Sequence, residues 1–260
     1  MSKMIRYFLL TYITIALFGC SHFCGNNNDV LFQTSTFNAL LEGVYDGETS
    51  FHDLKHHGNF GIGTFEGLDG EMIELNGNFY QVKSDGKVYS VNDSMKTPFA
   101  VVTSFEPDKT LSLDKPMNYS QLTQYLDNLL PTKSIFYAIK IEGKGKYVKT
   151  RSVPKQNKPY PRLVEVVKNQ PTFEFNDVEG TIVGFWCPKY VEGINVPGYH
   201  FHFITKDKKS GGHLLDCQLE NAKIEIDYTS RFYMILPEGG EFHKANLSGD
   251  KQGEMNKVEK

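Results

Sequence analysis

The pattern of hydrophobic and polar positions predicts many β-strands and few helices. Residues 119–130 place apolar side chains at helical spacings of three and four, and Pro131 ends the helix. The apolar positions of this helix are Leu122, Tyr125, Leu126 and Leu129. Strands are predicted for residues 135–141, 147–153, 180–186, 199–205, 213–219, 223–228 and 231–236. Because strands and helices do not alternate regularly, the pattern indicates an α+β fold with mostly antiparallel or mixed sheets.

The first half of the chain carries shorter signals. Residues 36–41 are predicted to form a short helix. Residues 71–82 are typical of a hairpin whose turn contains Asn76 and Gly77, between two segments rich in apolar and aromatic side chains. Residues 58–70 are punctuated by glycine and are predicted to be rich in turns.

Length and composition indicate a globular protein. The chain has 260 residues, of which 40% are hydrophobic and 13% aromatic, so it can bury a sizeable core. Its formal net charge is −3, and no strongly basic footprint indicates binding to nucleic acid. We expect two closely packed subdomains, an N-terminal one at residues 31–130 and a C-terminal one with a tail at residues 131–260.

The N-terminus is predicted to be a targeting segment. Two basic residues precede an apolar run over residues 7–18, which is long enough for a signal peptide and too short to span a bilayer. Residues 1–20 are therefore the predicted signal peptide, and residues 21–30 a tether. The ending Leu-Phe-Gly-Cys resembles a bacterial lipobox with Cys20 as the lipidated residue. Ordinary secretion is the alternative, because Phe18 is bulky for that pattern. We expect an exported bacterial protein that contacts a membrane only through such a lipid.

Three histidines form the strongest chemical signal. His200 and His202 are two positions apart, so on a strand both rings point to one face. The polar, glycine-ended residues 205–212 suit a hairpin that returns His213 beside them. Neutral imidazoles that converge suit Zn²⁺ or a similar ion, with a position left open for substrate or water. The simpler alternative is that these histidines decorate the polar face of a half-buried strand.

The other polar residues are less informative on their own. Cys187 and Cys217 can pair in an exported protein, but we favour two free thiols, and the absence of a CxxC pair makes a cysteine-based zinc site improbable. Arg151 ends a predicted strand and Glu71 follows a glycine-rich stretch. By sequence alone Arg151 is interpreted as an exposed arginine, and Glu71 as either a residue at the mouth of a site or a simple strand start.

Several segments together resemble the alpha-acetolactate decarboxylase family. They occur in the family's order from about residue 31 to the C-terminus, so the resemblance covers nearly the whole mature chain. The segments are Gly-Ile-Gly-Thr-Phe at 61–65, Leu-Asp-Gly-Glu at 68–71, Arg-Ser-Val-Pro at 151–154, Gly-Phe-Trp at 184–186, Gly-Tyr-His-Phe-His-Phe at 198–203 and Ser-Gly-Gly-His-Leu-Leu-Asp at 210–216.

This resemblance implies a set of site residues. It implies zinc as the cofactor, with the predicted ligands His200, His202 and His213. It further implies catalytic roles for Glu71 and Arg151, with Thr64 and Arg151 near the substrate. In the family a glutamate of the C-terminal tail also approaches the metal, and here Glu259 is the best match, with Glu254 second. The family also suggests a homodimer.

The activity implied by the resemblance is the decarboxylation of 2-acetolactate to acetoin and CO₂. Loss of CO₂ leaves an enediolate, which a Lewis-acidic zinc ion stabilises and which is then protonated. Arg151 can hold the substrate carboxylate, and a protonated Glu71 or Glu259 can deliver the proton. The alternative is an exported lipoprotein that binds a metal or a small acid without turnover. A zinc hydrolase is a third interpretation, which the absence of an HExxH motif disfavours.

Overall fold

Two sheets contain most of the strands in the computed structural model, which describes residues 29–259. The strands within that range are β1 (Val30–Thr34), β2 (Thr49–Ser50), β3 (Phe60–Thr64), β4 (Glu71–Leu75), β5 (Asn78–Val82), β6 (Val88–Ser90), β7 (Lys96–Thr97), β8 (Ala100–Thr103), β9 (Lys109–Leu113), β10 (Met117–Asn118), β11 (Phe136–Arg151), β12 (Thr172–Cys187), β13 (Gly198–Thr205), β14 (Gly211–Thr229) and β15 (Arg231–Ile235). The helices are α1 (Phe37–Leu41), α2 (Phe51–Leu54), α3 (Tyr119–Leu129), α4 (Leu163–Val166) and α5 (Gln252–Glu259).

The first sheet has seven strands in the order β15-β1-β8-β3-β4-β5-β6. All neighbours in it are antiparallel except β1 and β15, which run parallel. The second sheet has the order β10-β14-β11-β12-β13, with β9 added on β14. Strand β13 also pairs with β14 through a short hairpin, so β11, β12, β13 and β14 form a ring. The predicted mostly antiparallel and mixed architecture with few helices is confirmed.

The main core lies between the two sheets. Ile62 and Ile73 of the first sheet contact it from one side, and Val183 and Phe185 of the second sheet from the other. Two further clusters cover the outer faces, with α2 over the first sheet and α3 over the second. Side chains two positions along β3, β4 or β13 from a residue of this core therefore point into the same interior space.

Each sheet contains strands from both halves of the chain. Strand β15 joins the first sheet, although its residues follow the second sheet in sequence, whereas β9 and β10 join the second sheet. The subdomain boundary at residue 130 therefore stays a prediction. The predicted signal peptide, Cys20 and the tether up to residue 28 lie outside the described residues. Within residues 29–259, none of the helices is long and apolar enough to cross a membrane.

Helix α3 confirms the helical prediction. Asn118 caps its start by a reciprocal hydrogen-bonded pair with Gln121, and Leu122 and Leu126 are its buried positions. Leu130 already has extended backbone, because the residue before a proline is driven out of the helical region. The predicted short helix at residues 36–41 is also present as α1.

The predicted β4–β5 hairpin is present as well. Asn76 and Gly77 have φ angles of 53° and 73°, the left-handed pair that a tight two-residue turn requires. The interpretation of residues 58–70 as mainly turns is wrong in part, because Gly61 and Gly63 lie in the central strand β3. A side chain at Gly63 would place its Cβ 2.4 Å from the carbonyl oxygen of Phe99, so glycine here permits close strand contact.

Two predicted interruptions between strands are wrong. The segments 135–141 and 147–153 belong to one strand, β11, and 213–219 and 223–228 belong to β14. The strands continue through β-bulges near Gly145. At Gly143 a Cβ would lie 2.2 Å from the Asn221 carbonyl oxygen, so the glycine marks close strand contact and not a turn. The predicted free state of Cys187 and Cys217 is confirmed, and both are buried.

Candidate metal centre

The three predicted histidines converge between the sheets. His200 and His202 leave β13 on the same face, and His202 lies directly opposite His213 in the β13–β14 hairpin. Their potential ligand atoms lie within 4.8 Å of one another, and all three side chains are buried. The cluster can hold a metal ion.

The turn between β13 and β14 sets the position of His213. The Thr205 hydroxyl accepts the backbone N–H of Ser210 at 3.1 Å and closes the loop. Gly212 then has a φ of +136°, and a Cβ there would lie 2.3 Å from the carbonyl oxygen of Arg151. Glycine is required because this backbone must pass close to β11 while it directs His213 into the centre.

Burial keeps the imidazoles neutral. It lowers the pKa of His200 to about 3, and the nearby Arg151 acts in the same direction. Burial also lowers the pKa values of His202 and His213 well below their ordinary value. Nδ1 of His202 lies 2.8 Å from the carbonyl oxygen of Met72. Because a carbonyl only accepts, Nδ1 must carry the proton, and Nε2 of the neutral ring then keeps its lone pair for a metal.

Two carboxylates approach the histidine nitrogens from different elements. Glu71 begins β4, and its Oε2 lies 3.6 Å from Nε2 of His202. Glu259 ends α5, and its Oε2 lies 3.7 Å from Nε2 of His200 and 3.9 Å from that of His213. Burial raises the pKa of each glutamate to about 7, although the charge of Arg151 acts in the opposite direction.

Arg151 brings a positive charge to the same space. It ends β11 directly opposite His213, and its side chain is buried. One terminal nitrogen donates to Oε1 of Gln170 at 2.6 Å, and the other lies 3.9 Å from Oε1 of Glu259. Its Nε is buried without a hydrogen-bond partner among the described residues. A guanidinium with such unused donors is suited to an anionic ligand.

Thr64 lies opposite Glu71 on the neighbouring strand β3. Its hydroxyl donates to the Gly70 carbonyl oxygen at 2.7 Å, so the hydroxyl proton is already engaged. Toward a ligand Thr64 therefore acts as a hydrogen-bond acceptor.

These groups line one cavity of about 40 Å³. A space of this size holds only a few water molecules. The remaining walls are apolar, so water is largely excluded from the polar groups. The apolar lining is Phe37, Leu40, Leu68, Phe99, Val153, Leu163 and Val258.

A comparison with protein families gives the context of this centre. The family model for alpha-acetolactate decarboxylase matches residues 31–249. This chain belongs to the alpha-acetolactate decarboxylase family. The match confirms the predicted family and the prediction of an enzyme, a carboxy-lyase.

Relatives of this alpha-acetolactate decarboxylase family cover almost the whole chain. The protein from Methanosarcina mazei is 53% identical over 235 residues, which cover 90% of this chain and 82% of that protein. The one from Methylococcus capsulatus is 47% identical over 238 residues, 92% of either protein. The crystal structure of the Bacillus subtilis enzyme has a TM-score of 0.87 at 42% identity and covers 88% of this chain and 99% of that one.

In this family member, the structure brings together all the predicted metal, catalytic and substrate-binding residues except one. Glu254, the second candidate for the tail carboxylate, lies outside the cavity and pairs with Arg162 at 2.7 Å. Sequence reasoning missed Gln170, which orients Arg151, and the helix that carries Glu259. The two buried residues of that helix, Met255 and Val258, are three positions apart. This spacing alone is too short a pattern to predict a helix.

Proposed function

We propose that this chain decarboxylates 2-acetolactate to acetoin and CO₂, with zinc as its cofactor. One observation carries the proposal. In a chain of this family, three neutral histidines, a buried arginine with unused donors and two glutamates of raised pKa line a single water-poor cavity. Each of these groups answers a requirement of the reaction.

The donor set fits zinc. Three imidazole nitrogens with their lone pairs available, and no thiolate among them, match sites that leave further coordination positions to a substrate. His200, His202 and His213 would hold the ion, and Glu71 and Glu259 lie close enough to complete its surroundings. When bound, the ion supplies Lewis acidity for the negative charge that develops on the substrate oxygens.

Arg151 would bind the carboxylate of the substrate. Its Nε has no partner among the described residues, and Gln170 holds one terminal nitrogen in place. The paired N–H donors of a guanidinium match the two oxygens of a carboxylate. The apolar walls favour loss of CO₂, because a carboxylate in a poorly hydrated space is less stabilised than in water.

Glu71 and Glu259 would supply the proton that completes the reaction. When the C–C bond to CO₂ breaks, its electron pair moves into an enediolate, and the same carbon must then accept a proton to give acetoin. With pKa values of about 7, both glutamates hold a proton for part of the time at neutral pH. Solvent protons restore the donor afterwards.

The test is acetoin formation from racemic 2-acetolactate, with and without chelator, together with analysis of the bound metal. We expect CO₂ release to stop on chelation and to return when zinc is added. A metal-free protein that remains fully active would refute the zinc proposal. Zinc retention without acetoin would instead support the non-catalytic binding lipoprotein, which the family match does not favour.

Export, lipid attachment and a homodimer belong to the proposal as well. The apolar run over residues 7–18 and the Leu-Phe-Gly-Cys ending support processing at Cys20. The mass of the mature N-terminal peptide tests this, with Cys20→Ser as the control. Sedimentation of the mature protein tests the homodimer.

A further inference from the structure

Helix α5 carries Glu259 into the centre but buries few of its own side chains. It has eight residues, and within them only Met255 and Val258 are buried. An isolated helix of this length is not stable in water, so its position must come from contacts with the rest of the protein. Two apolar side chains can slide or rotate against a core more freely than paired charges can, because the hydrophobic effect has no direction.

Four charged residues connect α5 to the body of the protein, and we call them the tail clamp: Glu42, Arg162, Lys251 and Glu254. A terminal nitrogen of Arg162 lies 2.6 Å from Oε1 of Glu42 and 2.7 Å from Oε2 of Glu254. Lys251 forms a second ion pair with Glu42. Glu42 directly follows α1 and Arg162 directly precedes α4, so the tail clamp connects α5 to the ends of two other helices.

The Glu42–Lys251 pair of the tail clamp is better shielded than an ordinary surface ion pair, whereas the side chains of Arg162 and Glu254 are 42% and 32% exposed. The side chains of Glu42 and Lys251 are 19% and 12% exposed, and Arg162 shares its charge between two carboxylates. Burial alone would raise the pKa of Glu42, but Lys251 and Arg162 outweigh this effect and hold the pKa below its ordinary value. Networks of this kind hold geometry better than single exposed pairs do.

The spacing along α5 couples the tail clamp to the metal centre. Glu254 and Glu259 are five residues apart, which corresponds to about 140° of rotation and about 7.5 Å along a helix axis. A slip of one residue turns the helix by roughly 100° and would move the Glu259 carboxylate away from His200 and His213. The pairing of Glu254 thus helps to fix the position of Glu259, together with the contacts of Glu259 with Arg151 and the histidines.

We propose that Arg162 is a positioning residue, which holds α5 through the tail clamp so that Glu259 reaches the three histidines. The inference rests on the proposed function, because Glu259 is taken there as part of the same centre. Arg162 itself lies outside the cavity and acts only through the helix.

The first test compares Arg162→Met with Lys168→Met. Lys168 is a suitable control, because it lies six residues further on and its ion pair within residues 29–259 is with the exposed Glu165. Two properties are measured that do not depend on the substrate, namely hydrogen exchange of the α5 amides and the zinc affinity of the metal-free protein. For Arg162→Met we expect exchange to be faster and zinc affinity weaker, each by about three- to tenfold. The same values as in Lys168→Met would overturn the proposal.

The second test separates positioning from general stability. In a Glu259→Gln background, Arg162→Met should change zinc affinity by less than about twofold, since the group through which it acts is already gone. Arg162→Lys, which keeps the charge, should recover part of the affinity lost in Arg162→Met. Additive losses in the double variant, or no recovery with lysine, would contradict the proposal. If the wild-type protein forms no acetoin, the proposed function fails. The zinc-binding and hydrogen-exchange measurements still test whether Arg162 positions α5.

Discussion

Arg151 and His213 lie directly opposite each other on the antiparallel strands β11 and β14, and both side chains enter the same cavity. The pairing sets a permanent positive charge beside the histidines, where it helps to keep them neutral. It also fixes the direction from which a carboxylate would enter. The proposed metal ligand His213 and the proposed carboxylate-binding residue Arg151 thus lie on one pair of strands.

Arg151→Lys should lower kcat/KM for acetolactate by about 100-fold, because an ammonium group cannot reproduce the paired donors of a guanidinium. Lys149→Met is the matched control, since Lys149 lies on the same strand and its pair with Glu174 spans 3.8 Å. Steady-state kinetics measure both variants. Equal activity in Arg151→Lys and wild type would show that Arg151 does not bind the substrate carboxylate as proposed.

His202→Ala should weaken zinc binding by more than about 100-fold, because it removes one of the three proposed ligands, whose ring the Met72 carbonyl orients. His56→Ala serves as the control, because His56 is exposed and lies outside the centre. Competition with a chelating dye measures the affinity. If His202→Ala binds zinc as well as the control does, the assigned ligand set is wrong.

Gly212→Ala should reduce the free energy of unfolding by about 3 kcal/mol, because alanine is strained at a φ of +136° and its Cβ would meet the Arg151 carbonyl oxygen. Urea denaturation measures the change. Gly239→Ala is the control, since a Cβ at Gly239 meets nothing within 4 Å. We also expect weaker zinc binding in Gly212→Ala, and unchanged stability would contradict the assigned backbone strain.

Glu74 should make the protein less stable as the pH rises. Both of its carboxylate oxygens are buried without a partner among the described residues. Burial raises its pKa from 4.5 to about 8, against the opposing charge of Lys55. Between these two values the folded state binds the proton more tightly than the unfolded state does. The free energy of unfolding therefore falls by at most about 1.4 kcal/mol per pH unit in this window, and the fall ends above the folded pKa.

Glu74→Gln isolates this contribution, because glutamine has nearly the same shape and does not ionise. Urea denaturation of both proteins between pH 5 and 9 should show that the variant gains stability relative to the wild type as the pH rises. A constant difference over that range would show that Glu74 ionises in the folded state as readily as in the unfolded one.

Local patterns predicted the elements whose cause is local. The helix stripe of Leu122 and Leu126 and the Asn76-Gly77 turn are examples, because their geometry follows from neighbouring residues. The His-x-His spacing likewise places His200 and His202 on one face of any strand. Glycines were misleading, since at Gly63 and Gly143 the reason for glycine is a neighbouring strand far away in sequence.

The sequence by itself determined that three histidines can converge on one point, that the fold is mostly antiparallel and, through its resemblance, which family the chain belongs to. Only the tertiary structure decided that Arg151 lies opposite His213, that Glu259 and not Glu254 reaches the centre, and that Gln170 orients the arginine. The physical reason is that these relations depend on strand register and on where α5 packs. Both are set by contacts between residues distant in the chain, which local periodicity does not encode.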